Sequence, residues 1–218
     1  MKLKDLFEST GKSVADLRIN YIHGEFLCDA AGLTSLEGSP EHVTGDFDCN
    51  NNKLISLKDG PKQVDGHYYC YSNELSTLEG APRRVPSDFD CLDNCLSSFK
   101  GGPEFVGGDF GCAHNYLETL EHAPKVTNGN FYCDTNMITS LKDVHKHIER
   151  VSGRFIAFEN PIESHVLGLL LIKGITKVRL DNTQVEEILN RHLGKGRAGM
   201  LMAQEELIEA GLEEFAQL

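Results

Sequence analysis

The chain has 218 residues, of which 40% are hydrophobic and 25% are charged, which excludes gross disorder and leaves enough chain to bury a core. Its formal net charge of −12 argues against nucleic acid as the main partner, because phosphate contacts need clustered Lys and Arg. An acidic balance instead suits a partner with a basic protein surface.

The amino-terminal segment, residues 1–23, begins Met1-Lys2-Leu3 and lacks the apolar run of a signal peptide. The longest apolar stretch in the chain, residues 166–172, is too short to span a bilayer. We therefore expect a cytoplasmic protein that makes no membrane contact. Apolar residues from Leu3 to Ile19 form a short amphipathic pattern, which predicts an amino-terminal cap over the domain that follows.

A repeat of 21 residues occupies residues 24–160. An aromatic residue precedes each periodic cysteine by two positions, and an asparagine follows it by three in five of six units. Further apolar residues follow at five and eight positions, and a proline recurs in each connecting segment. Six units of 21–24 residues precede a degenerate seventh, where Ala157 replaces cysteine after an insertion around residues 145–151. The periodic cysteines are Cys28, Cys49, Cys70, Cys91, Cys112 and Cys133.

The unit reads G-x-F-x-C-x-x-N-x-L-x-x-L, and this pattern resembles the leucine-rich-repeat consensus L-x-L-x-x-N-x-L. Its short length and proline-containing return are similar to the compact bacterial subtype of that family. The resemblance implies an α/β repeat solenoid with parallel β-strands on the concave face and an extended convex side. It also implies helical caps at both ends, because a stack of repeats must cover its two open faces.

The fixed positions of the unit are those expected to build the interior. Side chains alternate along a strand, so the aromatic residue and the cysteine both point inward. A free cysteine behaves there as a small buried hydrophobe. The asparagine amide is suited to bond backbone groups left open between coils. Proline fixes φ and disfavours a helix in the return segment.

The seven cysteines and nine histidines raise the alternative of a metal site. Successive coils would place the periodic cysteines about 5 Å apart, too far to share one zinc at about 2.3 Å without distortion. We therefore expect core packing, with no metal and no cofactor. Cys95 occupies a variable position of the unit and is expected to be partly exposed.

The strand positions that flank the aromatic residue and the cysteine face outward and vary between units. Eight of these 21 positions are acidic and one, Arg154, is basic, while His67, Tyr69 and Tyr71 form an aromatic centre. An aromatic centre flanked by charge is typical of a protein-binding hot spot. The alternatives are carboxylates that merely solvate the strands, or a Ca²⁺ site, for which no loop pattern is present. The predicted protein-binding residues are Asp46, Asp48, His67, Tyr69, Tyr71, Asp88, Asp90, Asp109, Tyr132 and Asp134.

Residues 161–218 change to a helical pattern, which predicts a helical carboxy-terminal cap. Residues 166–172 predict a buried helix, Asp181-Asn182-Thr183 offers the amino-terminal cap of a second helix, and a last helix is expected over residues 198–211. The Gly194–Arg197 segment between the last two helices is able to hold an anion. It lacks the phosphate-binding G-x-x-x-x-G-K-[ST] pattern, so a plain connection is favoured.

The tail over residues 204–215, Q-E-E-L-I-E-A-G-L-E-E-F, resembles uncharacterised proteins of large tailed bacteriophages. That resemblance implies action in the cytoplasm of an infected bacterium. No nucleophile–base pair, metal cluster or phosphate loop supports catalysis. We therefore expect a non-enzymatic module that binds a host or phage protein, to inhibit or recruit it. A virion or assembly component, and an enzyme or anion site in the carboxy-terminal helices, remain as alternatives, and the oligomeric state stays open.

Overall fold

The computed structural model describes residues 20–218, which wind as a parallel β-solenoid. Each coil contributes one short strand to a continuous eight-stranded parallel sheet in chain order. The strands pair one repeat apart, so Phe110 lies opposite Phe89 on one side and Phe131 on the other. The sheet comprises β2 (Phe26–Leu27), β4 (Phe47–Asp48), β6 (Tyr68–Tyr69), β8 (Phe89–Asp90), β10 (Phe110–Gly111), β12 (Phe131–Tyr132), β14 (Arg154–Ile156) and β15 (Lys177–Arg179).

The return segments are extended, and each also contains a short strand that comes a few residues before the strand of the eight-stranded sheet. These strands form a three-stranded and a four-stranded parallel sheet. A valine also recurs every 21 residues in four of these strands and is buried, which explains its fixed place in the unit; these valines are Val43, Val64, Val85 and Val106. The three-stranded sheet holds β1 (Tyr21–Ile22), β3 (His42–Val43) and β5 (Gln63–Val64), and the four-stranded sheet holds β7 (Arg84–Val85), β9 (Phe105–Val106), β11 (Val126–Thr127) and β13 (Arg150–Val151).

The interior is built from the predicted fixed positions. The six periodic cysteines are buried, and the aromatic residues form a column in which Phe47, Tyr68 and Phe89 have ring centroids 5.0 and 5.3 Å apart. The thiols also bond between coils, since Sγ of Cys112 donates to the carbonyl of Tyr132 at 3.1 Å. Cys95 is exposed, as predicted. The cysteines are therefore packing groups of the core.

A ladder of buried asparagines joins each coil to the one before it. The Asn94 amide nitrogen donates to the carbonyls of Cys70, Cys91 and Leu92 at 3.1, 3.1 and 3.2 Å. Its oxygen accepts from the amide of Leu75 at 2.9 Å. One side chain thus satisfies backbone groups of two coils, which confirms the predicted role. The same pattern recurs at Asn52, Asn73, Asn115, Asn136 and Asn160.

Within residues 20–218, helices occur only where the repeat degenerates. The insertion after the sixth unit forms α1 (Val144–His147), and the predicted buried helix is a 3₁₀ helix (Val166–Leu171). The predicted start is confirmed at Asn182, because its side chain accepts from the amide of Val185 at 3.2 Å at the beginning of α2 (Thr183–His192). The last helix, α3 (Gly196–Glu209), starts two residues earlier than predicted. Within residues 20–218 no helix is long and apolar enough to cross a membrane.

The eighth strand, β15, lies in the region where only helices were predicted, and pairs with β14. Helix α2 closes its outer edge with side chains. The Asn190 amide accepts from the Val178 N–H at 2.8 Å and donates to its carbonyl at 2.9 Å, and Glu186 accepts from Leu180 N–H at 3.0 Å. An open strand edge would otherwise invite pairing with another chain. At the other end, the predicted amphipathic segment ending at Ile19 lies outside the described residues.

We predict that Asn94→Ala lowers the free energy of unfolding by about 2–3 kcal/mol, because buried backbone groups of two coils lose their partners. Urea unfolding followed by circular dichroism measures this change. The control Asn128→Ala removes an exposed asparagine and is expected to stay within about 0.5 kcal/mol of the parent chain. Equal effects of the two substitutions would contradict the role of the ladder.

Candidate protein-binding face

The outward side chains of the eight-stranded sheet form one surface, here called the strand face. Its members are the residues directly before and after each inward aromatic residue, the residue after each cysteine, and Lys177 and Arg179 on either side of the inward Val178 of β15. All ten predicted binding residues occupy such positions. Because β4, β6 and β8 pair in register, Asp48, Tyr69 and Asp90 lie side by side across three coils. The structure thus places the predicted residues on one side of one sheet.

The aromatic centre of the strand face is a contiguous row along a single coil. The His67 and Tyr69 rings stack with centroids 5.4 Å apart and planes at 10°, and Tyr71 meets Tyr69 edge-on at 6.4 Å. Partial burial, followed by the Asp88 and Asp46 carboxylates, raises the pKa of Tyr69. Burial and nearby carboxylates act in the same direction on the pKa of Tyr71. Both hydroxyls are therefore protonated at neutral pH and available as hydrogen-bond donors.

Several acidic residues of the strand face have a structural task that was not predicted from the sequence. Oδ1 of Asp46, Asp88 and Asp109 accepts the backbone N–H one coil further on, at 2.8, 2.7 and 2.7 Å. Asn130 makes the same contact to Arg154 at 2.9 Å. These bonds form a second ladder, parallel to the asparagine ladder. Part of the acidity of this face therefore holds neighbouring coils in register.

A sequence signal for this second ladder is the glycine that comes before three of its four members, whereas Ser87 comes before Asp88. Gly108 and Gly129 directly precede Asp109 and Asn130. A Cβ at Gly108 would collide with Oδ1 of Asp88, and a Cβ at Gly129 with Oδ1 of Asp109. Glycine is required because the carboxylate of one coil lies against the backbone of the next. The recurring glycine therefore marks close approach between coils.

Asp48 and Asp90 flank Tyr69 and differ from the ladder carboxylates. Both make local bonds: Asp48 accepts from the Asn50 backbone amide at 3.0 Å and also bonds the Asn50 side chain, and Asp90 accepts from the Leu92 backbone amide at 3.1 Å. Burial first, and then the charge of Asp88, raises the pKa of Asp90 to about 6. No Lys, Arg or His within residues 20–218 forms an ion pair with it. Its charge is therefore poorly compensated on the strand face.

The next coil leaves room beside Asp90. A Cβ placed on Gly111 would lie 2.7 Å from Oδ1 of Asp90, so this carboxylate lies over a position without a side chain. Ala113 in the same coil is also small. Beyond this low region, the Tyr132 hydroxyl accepts from the Asn130 amide at 3.1 Å. Tyr132 and Asp134 therefore share the face but lie three coils, about 14 Å, from the aromatic centre.

The charge of the strand face changes sign toward its carboxy-terminal end. The unpredicted strand β15 places Lys177 beside Arg154 and Arg179 beside Ile156. All three cationic residues are exposed. Arg179 Nε lies 3.4 Å from the Glu186 carboxylate of α2. The sequence analysis found only Arg154, because the region after residue 161 carries no repeat signature.

The other candidate sites contribute little chemistry. Among residues 20–218, no group of three or more His, Cys, Asp and Glu is placed to hold a metal ion. Burial raises the pKa of the Cys28 thiol to about 12, and it also raises the pKa of each of the other periodic thiols. Of the predicted Gly194–Arg197 connection, only Gly194 and Lys195 lie between α2 and α3, because Gly196 and Arg197 form the start of α3. Lys195 Nζ lies 3.4 Å from His192 Nδ1.

The fold and this face define the class of the protein as a repeat solenoid. Comparison with protein-family models, with curated proteins and with solved structures finds no match to the chain.

We predict that Asp90→Asn raises the free energy of unfolding at pH 7.5 by about 1–3 kcal/mol, since a shift of one pKa unit corresponds to about 1.4 kcal/mol. The folded-state pKa lies above the unfolded one, so the contribution of Asp90 to stability falls as pH rises from about 4 to 6. The gain should vanish at pH 3.5, where both states are protonated. Urea unfolding at the two pH values measures it, and an equal difference at both would contradict the raised pKa.

Proposed function

We propose that this chain is a leucine-rich-repeat protein of the short type, with the strand face as its concave side, and that it binds another protein through that face. The observation that supports this best is the half-buried row of His67, Tyr69 and Tyr71 between two sets of carboxylates. The repeat consensus and the stacked parallel strands support the family assignment. The proposed activity is non-enzymatic, since the periodic thiols are buried and protonated and therefore poor nucleophiles.

The chemistry of the aromatic row favours a basic partner surface. Tyrosine offers a large contact area at low conformational cost, with a polar end that donates a hydrogen bond. An Arg or Lys that reaches Tyr69 could stack on its ring and pair with Asp48 or Asp90. Such pairing would also compensate the charge of Asp90, which has no ion pair among the described residues 20–218. The proposed partner is therefore a protein with a basic patch.

The dimensions of the strand face suit a standard interface. Seven inter-strand spacings of about 4.8 Å give a length of about 34 Å. Stable protein interfaces bury about 800 Å² on each partner, which a surface of this length can supply. The ladder carboxylates at Asp46, Asp88 and Asp109 add negative potential along the same surface. They would steer a basic partner toward the aromatic row.

The setting that we propose is the cytoplasm of a bacterium infected by a tailed phage. This rests on the resemblance of residues 204–215 to uncharacterised phage proteins. Binding of a host or phage protein in that setting would block the partner's own surface or recruit it to another component. Sequestration of a basic surface needs no catalytic group, which agrees with the chemistry of the strand face.

We predict that Tyr69→Ala combined with Tyr71→Ala weakens partner binding at least about 30-fold, as expected for the loss of a hot spot. Affinity capture from bacterial lysate with quantitative mass spectrometry identifies partners retained by the parent chain and lost by the variant. The free energy of unfolding should change by less than about 1 kcal/mol, because both residues lie on the surface.

The matched control is Tyr116→Ala combined with Ile55→Ala. It removes two side chains, 56% and 62% exposed, that lie outside the strand face. This control should retain every partner of the parent chain. Retention of those partners by the Tyr69/Tyr71 variant, with parent affinity, would contradict the assignment of the face.

A further inference from the structure

The strand face carries opposite charges at its two ends. Over β4, β6 and β8 its charged members are Asp46, Asp48, Asp88 and Asp90, with His67 between them. Over β14 and β15 they are Arg154, Lys177 and Arg179. Between these ends, the coils of β10 and β12 carry the carboxylates of Asp109 and Asp134, and Gly111 lowers the surface, so the acidic part extends to the coil next to Arg154. The face is therefore a dipolar strip rather than a uniformly acidic one.

The basic end has an unusual pairing. Arg154 and Lys177 lie directly opposite each other on neighbouring strands. Like charges at directly opposed positions destabilise a sheet. Within the part of the chain that the structure describes, neither side chain forms an ion pair, whereas Arg179 reaches Glu186. An anionic group of a partner placed over Arg154 and Lys177 would remove this repulsion.

Building on the proposed function, we propose that the strand face selects its partner by charge polarity. The partner presents a segment that is cationic where it covers β4 to β8 and anionic where it covers Arg154 and Lys177. From β6 to the middle of β14 and β15, four to five inter-strand spacings place the two charge centres about 20 Å apart. A partner with a basic patch alone would pair with the acidic end and leave the charges of Arg154 and Lys177 uncompensated. The orientation of the bound segment is fixed, because reversal would bring like charges together.

Two labelled peptides and the full chain test this polarity by fluorescence anisotropy at low salt. The first peptide has four lysines, six prolines and four glutamates, and the second replaces the glutamates with serines. Six prolines form an extended spacer of about 19 Å, which keeps the charged ends apart. We expect the parent chain to bind the glutamate-ended peptide about three- to tenfold more tightly.

The variant Arg154→Glu with Lys177→Glu should reverse that order, and Arg154→Gln with Lys177→Gln should make the two affinities equal. The control, Lys62→Glu with Lys125→Glu, makes the same charge change on exposed residues of the return segments. It should keep the parent order. Circular dichroism of every variant verifies that the solenoid has formed.

The outcomes separate this inference from the proposed function. If the serine-ended peptide binds through Asp48 and Asp90 but glutamates add no affinity, the polarity inference is overturned and the acidic binding face stands. A control variant that reverses the order would also overturn the inference, since the effect would then come from net charge. If the parent chain binds neither peptide, both proposals fail.

Discussion

The inward asparagine that recurs from the second coil onward is the contact on which the solenoid depends. A coil of 21 residues turns sharply after its cysteine, and this leaves inward-pointing carbonyls that the coil cannot pair by itself. The asparagine bonds carbonyls of its own coil and of the preceding one, and it also receives an amide from that preceding coil. Because unpaired buried backbone groups are costly, each coil is stable only against a neighbour in the same register. Constant repeat length and a constant interior follow from this requirement.

The asparagine ladder does not constrain the outward strand positions, but some of those positions are constrained by bonds of their own to the next coil. Asp88 and Asp109 bond the next coil while they also contribute negative charge to the surface. Their replacement would confound a loss of recognition with a loss of register. Among residues 20–218, the side chains of Tyr69 and Tyr71 bond no backbone group of a neighbouring coil, and Asp90 bonds the amide of Leu92, two residues away. The residues around the aromatic row are therefore those where recognition can change without changing the fold.

Much of the interior could be predicted from the sequence, because its signals are local and repeat six times. The inward cysteines, the asparagine contacts and the start of α2 at Asn182 all follow from spacing and capping chemistry. The eighth strand could not be predicted from the sequence, since Lys177, Val178 and Arg179 are too few to show an alternation and lack the repeat signature. The ladder of aspartates depends on which residues lie opposite each other one coil apart. That register, and with it the basic end of the strand face, becomes visible only in three dimensions.

The central claim is that inward asparagines hold the coils together and that outward residues around the aromatic row are free for binding. The most direct measurement compares two free energies of unfolding in urea. One belongs to Asn115→Ala, and the other to a fourfold variant with serine at Asp48, Tyr69, Tyr71 and Asp90, where serine can still accept a local amide. We predict a loss above about 2 kcal/mol for the single change and below about 1 kcal/mol for the fourfold change. A larger loss in the fourfold variant would contradict the account.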